Sequence, residues 1–191
     1  MASAEAETIA VIGAGRVGRA LARRAAMAGY HVILEDLIPT SLDFARREIR
    51  QSLHEAVTSG ELTPQQAEET DARIACATSI EDAARQAHIV METGPDEMES
   101  KLEMFCLLDR ICLPDTVIVS NSRALELSDT AAKAEWIVGM YFVGDEAEIH
   151  CSAFTSAHAL EVAKQLAARM ARRYRVSGEG QSAAKADSVS S

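Results

Sequence analysis

The sequence predicts an α/β fold built on a doubly wound, mostly parallel sheet, and three observations carry that prediction. An apolar run of strand length, Thr8-Ile9-Ala10-Val11-Ile12, runs straight into Gly13-Ala14-Gly15-Arg16-Val17-Gly18. A helical pattern from Arg19 to Met27, a second apolar run Val32-Ile33-Leu34 and an acid, Asp36, then follow in that order. Strand patterns alternate with helical ones through most of the remaining chain, as parallel crossovers require.

The glycine segment has the form G-x-G-x-x-G between strand and helix. Gly13 permits the tight turn, Gly15 lets backbone approach a pyrophosphate, and Gly18 lets helix pack close to strand. The helix N-terminus turns free N–H groups and a partial positive charge toward the phosphates. Arg16 and Val17 complete this loop, and Arg16 is placed to touch pyrophosphate. Asp36 can accept both hydroxyls of an adenine ribose. Together these residues describe a Rossmann-type dinucleotide-binding unit. The expected cofactor is NAD, because Asp36 repels a 2′-phosphate and Leu37-Ile38-Pro39 supplies no cation to hold one.

A chain of 191 residues, 48% apolar and 25% charged, suits a globular domain with one good core. Its net charge of −10 argues against a nucleic-acid or anionic-membrane surface. The cluster Arg16, Arg19, Arg23 and Arg24 reads as a solvated helix face, with only Arg16 inside the phosphate loop. The four cysteines, Cys76, Cys106, Cys112 and Cys151, have no C-x-x-C and no metal-ligand spacing. Three of them lie in or beside apolar segments and read as small core residues. No metal is expected. Reduced thiols, no leader pattern and no apolar run near the ~20 residues that span a bilayer point to a cytoplasmic protein.

Further along, residues 40 to 57 form an amphipathic helix with an apolar stripe of Leu42, Ala45, Ile49, Leu53 and Ala56. Ser59-Gly60 ends it, and Thr63-Pro64 starts another. This helical hairpin is an insertion after the second strand. Arg73–Ala77, His88–Glu92, Thr116–Ser120 and Trp136–Phe142 read as strands. Helices are expected after Ser79, from Glu97 to about Ile111, from Ser128 to about Lys133, and from Ser156 to about Arg172. Glu148 to Ala153 alternates as an edge or half-exposed strand would, and Tyr174-Arg175-Val176 is a short last strand. The domain is therefore residues 1–176. Residues 177–191, all Ser, Gly, Ala and charge without an apolar stripe, form an expected disordered tail. Ligands of such sheets sit at the carboxyl ends of strands, so Thr93 and Asn121 mark the nicotinamide end.

These residues resemble the NAD-binding domain of the 3-hydroxyacyl-CoA dehydrogenases, 3-hydroxybutyryl-CoA dehydrogenases included. The resemblance spans about Thr8 to Val176. It rests on Val11-Ile12-Gly13-Ala14-Gly15 with Gly18, on Ala28-Gly29-Tyr30, and on the hairpin with Gly60-Glu61-Leu62-Thr63. Val119-Ser120-Asn121-Ser122 and Val138-Gly139-Met140-Tyr141-Phe142 complete it. The resemblance implies NAD held by Gly13, Gly15, Gly18 and Asp36, with Thr93, Asp96, Lys101 and Asn121 on the nicotinamide side. For Asp96 and Lys101 the alternatives are a helix N-cap region and an exposed helix lysine. The implied setting is fatty acid metabolism, with an acyl-CoA as substrate.

The family's acid–base pair is His and Glu. Here the His position, within a family Gly-Leu-His-Phe-Phe-Asn-Pro, reads Gly139-Met140-Tyr141-Phe142-Val143-Gly144-Asp145. Tyr141 replaces the base, Arg123 replaces a substrate-holding Ser, and a gap of about five residues brings the family Glu onto Glu148. Tyr141, Glu148 and Asn121 are the catalytic candidates, and Arg123 is the substrate candidate. Arg123 could lower the Tyr141 phenol. Alternatively Glu148 and His150, two apart in an extended strand, share a face and do the acid–base work. The competing description is a solvated edge strand that turns Ile149, Cys151 and Ala153 to the core. The C-terminal helical domain of family enzymes is absent by this reading, so a homodimer or partner chain would complete the site. Three functions stay open: a dehydrogenase of the family with an altered active site, a non-catalytic NAD(H)-responsive subunit, and an NAD-dependent enzyme for another, anionic substrate.

Overall fold

Ile9, Ala10, Val11 and Ile12 are all buried because their strand, β1 (Thr8–Ile12), is flanked on both sides. It pairs in parallel with β2 (His31–Glu35) and with β4 (Ile89–Glu92). A parallel strand covered on both faces must be apolar at successive positions rather than alternate ones. Burying each Ile or Val contributes roughly 1.5–3 kcal/mol. The computed structural model describes residues 7–94, 97–121 and 134–178.

The chain divides into two compact units, Met1–Gly94 with Ile111–Thr116 and Pro95–Arg110 with Val117–Ser191. In the first, the strand order is β3-β2-β1-β4, with β3 (Ile74–Ala77) parallel to β2. Helix α1 (Arg16–Met27) buries Gly18, Leu21, Ala22, Ala25 and Ala26. Small residues on this stripe bring the helix axis close to the sheet. The inserted hairpin is α2 (Pro39–Thr58) and α3 (Pro64–Ala72), and α2 buries the five stripe residues expected of it. Thr63 and Gln66 cap α3 reciprocally, Thr63 Oγ1 accepting from Gln66 N and Gln66 Oε1 accepting from Thr63 N. Ser79 caps the short α4 (Ile80–Ala84) by accepting from Asp82 N.

The second unit holds α5 (Met98–Ile111), β5 (Val117–Ser120), β6 (Ile137–Val143), β7 (Glu146–Cys151), α6 (Ala157–Met170) and β8 (Arg173–Gly178). Its strands run β5-β6-β7-β8, with β6 and β7 antiparallel and the other neighbours parallel. Gly144-Asp145 makes the two-residue turn between β6 and β7, with Gly144 at φ +59°. Ala147, Ile149 and Cys151 on one face of β7 are buried, while Glu148 and His150 on the other are half-buried.

Several expectations need correcting. β7 is not an edge strand, since β8 pairs along its far side and six residues of each are in register. Ala153 lies beyond β7 and is exposed. β8 continues through Ser177 and Gly178, which composition placed in the tail; pairing with β7 orders residues that carry no apolar signal. Only Cys151 is a buried thiol. Cys76 sits on the terminal strand β3 and Cys106 lies off the Lys101, Phe105, Leu108 stripe of α5, so both are exposed. Burial pushes the Cys151 thiol above its ordinary pKa. The helix expected at residues 128–133 lies outside the described residues. No helix among the described residues is long and apolar enough to cross a membrane.

Candidate cofactor and acid–base sites

The loop from Gly13 to Gly18 is held by its own steric demands. Gly13 has φ +101°, and a Cβ there would stand 2.9 Å from Thr93 Oγ1. A Cβ on Gly18 would overlap the carbonyl oxygen of Gly13, so strand and helix could not close to this distance. Gly15 differs: nothing lies within 4 Å of where its Cβ would be. That open space leaves room for a ligand to approach the backbone of the loop. Gly15 is also the N-cap of α1; no side chain caps the helix, and no acid lies in its first turn. The N–H groups of Arg16, Val17 and Gly18 therefore have no partner within the helix, as an anion-binding helix N-terminus requires. Arg16 and Val17 are exposed there.

Asp36 stands at the end of β2, where two backbone donors aim its carboxylate. Oδ2 accepts from Ala14 N and Oδ1 from Ile38 N, each at 3.0 Å. Each oxygen keeps a lone pair for a ribose hydroxyl. A cavity of about 310 Å³ opens beside it, lined by Ala14, Gly15, Arg19, Asp36, Ser41 and Phe44 among others. Arg19 is not part of a solvated face. Its guanidinium lies 4.9 Å from the Phe44 ring centroid, and Nη1 donates to Ala14 O at 3.4 Å. No local pattern marks Phe44, 25 positions on, as its neighbour. These features fit an adenosine diphosphate half of NAD.

Glu35, also unsuspected, is fully buried, and its Oε1 has no hydrogen-bond partner. Burial, reinforced by the neighbouring Asp36 charge, raises its pKa from 4.5 to about 7. Its carbonyl accepts from Gly13 N at 2.9 Å, tying it to the glycine loop.

Thr93 follows β4 and its Oγ1 donates to Ile12 O at 2.8 Å. The hydroxyl proton thus fastens β4 to β1 beneath the loop. Lys101 is buried on α5 rather than exposed to solvent. Asn121 follows β5 directly and is half-buried. Asp96 and Arg123 lie outside the described residues.

The second cluster is on the half-buried face of β6–β8. Register places Tyr141 opposite Glu148 and Gly139 opposite His150. Cross-strand neighbours share a face, so Tyr141 and His150 are diagonal on it, and Gly139 puts no side chain between them. Their rings stack at 5.0 Å with 13° between planes, and Tyr141 Oη is 2.9 Å from His150 Nε2. Glu148 Oε2 is 3.7 Å from the same nitrogen, and Arg175 on β8 pairs with Glu148. Ser177 Oγ is 2.8 Å from His150 Nδ1. Ser120 pairs with Gly139, and Asn121 follows it directly at the end of β5. Of the two alternatives weighed on sequence, Tyr141 with Arg123 or Glu148 with His150, the described members share one face: Tyr141 is hydrogen-bonded to His150, and Glu148 lies 3.7 Å from the same nitrogen. Ser177 was missed because strand register is not written in the sequence. Among the described residues no three His, Cys, Asp or Glu side chains gather as a metal site.

Residues 8–176 match the family model described as 3-hydroxyacyl-CoA dehydrogenase, NAD binding domain. A probable 3-hydroxybutyryl-CoA dehydrogenase of Bacillus subtilis is 32% identical over 142 residues, 73% of this chain and 49% of the relative. The 3-hydroxyadipyl-CoA dehydrogenase of Escherichia coli K12 is 32% identical over 139 residues, 71% of this chain and 29% of that protein. The crystal structure of a 3-hydroxybutyryl-CoA dehydrogenase from Escherichia coli K12 superposes with a TM-score of 0.85 at 26% identity. It covers 91% of this chain and 38% of that one. The chain thus spans about half the length of the Bacillus relative or less of the others. Its fold is the Rossmann-type α/β fold, and its cofactor is NAD. The glycine loop, the anchored Asp36 and the matched span agree: the chain belongs to the 3-hydroxyacyl-CoA dehydrogenase family through that family's NAD-binding domain.

Proposed function

We propose that this protein transfers hydride between NAD and a 3-hydroxyacyl-CoA-type substrate, using an acid–base group that differs from the family's His and Glu. The observation that carries the reading is the Tyr141–His150 hydrogen bond at 2.9 Å, with Glu148 beside it on the same face. Tyr141 stands at the family's His position and takes its role as the group that meets the C3 hydroxyl. Glu148 takes the role of the family Glu, and Asn121 polarises the substrate oxygen. Arg123, at the position of the family's Ser, contacts the substrate. Gly13, Gly15, Arg16, Val17, Gly18 and Asp36 bind the adenosine diphosphate half. Thr93, Asp96, Lys101 and Asn121 serve the nicotinamide side. When bound, NAD supplies the acceptor for the hydride that leaves C3.

The two relatives are named for 3-hydroxybutyryl-CoA and 3-hydroxyadipyl-CoA, which supports a CoA thioester rather than one acyl chain as the substrate class. Family membership and that thioester class support a place in fatty acid metabolism. Exposed free thiols at Cys76 and Cys106 suit a reducing, cytoplasmic compartment. A second copy or a partner chain would shield the half-buried Tyr141 face from water.

The test is loss of NADH absorbance on addition of acetoacetyl-CoA, compared with acetoacetate. Consumption with the thioester and a fall of about 10²–10⁴ in kcat for Tyr141→Phe support the reading. NADH binding without turnover on either substrate would instead mark a non-catalytic NAD(H)-responsive subunit.

A further inference from the structure

The hydrogen bonds of Ser177 beside His150 favour a proton on the Nδ1 of the imidazole. Ser177 Oγ lies 2.8 Å from Nδ1 and 3.4 Å from the Ile149 carbonyl oxygen. A carbonyl can only accept, so the single hydroxyl proton of Ser177 is directed at Ile149 O. Oγ is then left to accept from Nδ1–H. Nε2, on the opposite side of the ring, keeps its lone pair and faces the Tyr141 O–H at 2.9 Å. The order runs one way: Tyr141 O–H to His150 Nε2, His150 Nδ1–H to Ser177 Oγ, Ser177 O–H to Ile149 O. The anchor is built by register, because the parallel pairing of β7 with β8 sets His150 opposite Ser177 and Glu148 opposite Arg175.

We propose that His150, held in the Nδ1–H tautomer by Ser177, is the proton acceptor behind Tyr141, so that the base sits one hydrogen bond away from the substrate. This rests on the dehydrogenase reading above. The substrate C3 hydroxyl gives its proton to Tyr141 Oη as the phenol's own proton passes to His150 Nε2. The O–H electron pair stays on the substrate oxygen and closes the C3=O bond as the C3–H pair departs as hydride. The imidazolium retains its Nδ1–H on Ser177 and gains Glu148 Oε2, 3.7 Å from Nε2, as its counter-charge. Reduction runs the same path backward. Phenol alone is a poor base because its ordinary pKa is about 10, whereas imidazole titrates near 6.5. The arrangement therefore restores imidazole basicity at a position where the chain carries tyrosine. His150 and Ser177 are positioning residues, since neither is required to touch the substrate.

Two measurements test it. Nitrogen-15 NMR of the imidazoles, assigned with His150→Gln, reads the tautomer without any substrate. One protonated Nδ1 and an unprotonated Nε2 at His150 are expected in the native chain, and Ser177→Ala should give a mixture of both tautomers. A native chain with Nε2–H, or a Ser177→Ala spectrum unchanged from it, would overturn the proposal. The pH profile of acetoacetyl-CoA reduction and of the reverse oxidation is the second readout. His150→Gln should move the base-dependent limb of oxidation toward the phenol range, by up to about 3 pH units, with NADH affinity unchanged. A limb that stays in place would refute the relay. A native chain inactive in both directions would end the dehydrogenase reading, while the tautomer measurement would still decide the His150–Ser177 lock.

Discussion

Tyr141 and His150 occupy diagonal positions on β6 and β7, ring over ring, with Oη 2.9 Å from Nε2. Gly139, directly opposite His150, adds no side chain to that face. The pair is half-buried, so its hydrogen bond is partly shielded from competition by water. A double-mutant cycle with Tyr141→Phe and His150→Gln, read by urea unfolding, should give a coupling of about 0.5–1.5 kcal/mol. Additive single effects would show that the two side chains do not interact in solution.

The glycine loop makes a prediction that separates folding from binding. Gly15 faces open space, so Gly15→Ala should unfold within about 1 kcal/mol of the native chain yet lose NADH affinity at least tenfold. Gly18→Ala forces a methyl group onto the Gly13 carbonyl and should cost about 1–3 kcal/mol or more of stability. Unfolding curves and NADH fluorescence titrations on both variants check this. Equal behaviour of the two would mean that the open side of Gly15 is not where the phosphates lie.

Asp36 is the residue expected to set the choice of nucleotide. Its carboxylate is fixed by Ala14 N and Ile38 N, and in the proposed binding mode it would repel a 2′-phosphate. Replacing it with Ser removes the repulsion, and Arg19, which lines the same cavity, supplies a cation. The ratio of NADPH to NADH dissociation constants should fall by at least tenfold in Asp36→Ser. A ratio that holds would place the ribose elsewhere.

Glu35 predicts a pH dependence of stability. Its folded pKa is about 7 against an ordinary 4.5, so folding favours the protonated acid. The stability it contributes is full below about pH 4.5 and is lost as pH rises through 7. Glu35→Gln removes that loss, which amounts to about 3 kcal/mol at most. The variant's advantage in urea unfolding should therefore grow from pH 5 to pH 8. A constant difference across that range would contradict a buried, protonatable Glu35.

Legibility in the sequence followed periodicity. β1, α1 and β2 announced themselves because a fully buried parallel strand, a glycine loop and a small-residue helix each leave a local pattern. The α2 stripe from Leu42 to Ala56 was readable residue by residue. The glycine loop and the acid proposed for the adenosine side were legible for the same reason, since both lie within one βαβ unit. What depended on register was not. The Ser177 anchor, the Arg175 ion pair and the interior place of β7 all follow from how β8 pairs, and β8 carries almost no apolar signal. The Arg19–Phe44 contact and the burial of Glu35 depend on where α2 and the sheet ends settle in space, which residue order alone does not specify.

In the proposed function, hydride passes between nicotinamide and the C3 carbon of an acyl-CoA on this chain. Incubation with acetoacetyl-CoA and NADH carrying deuterium at the transferable C4 position, followed by mass spectrometry of the acyl product, tests it directly. The account predicts 3-hydroxybutyryl-CoA with one deuterium at C3, and its loss in Tyr141→Phe. Bound NADH with no deuterium in the acyl group, or labelling that survives Tyr141→Phe undiminished, would contradict it.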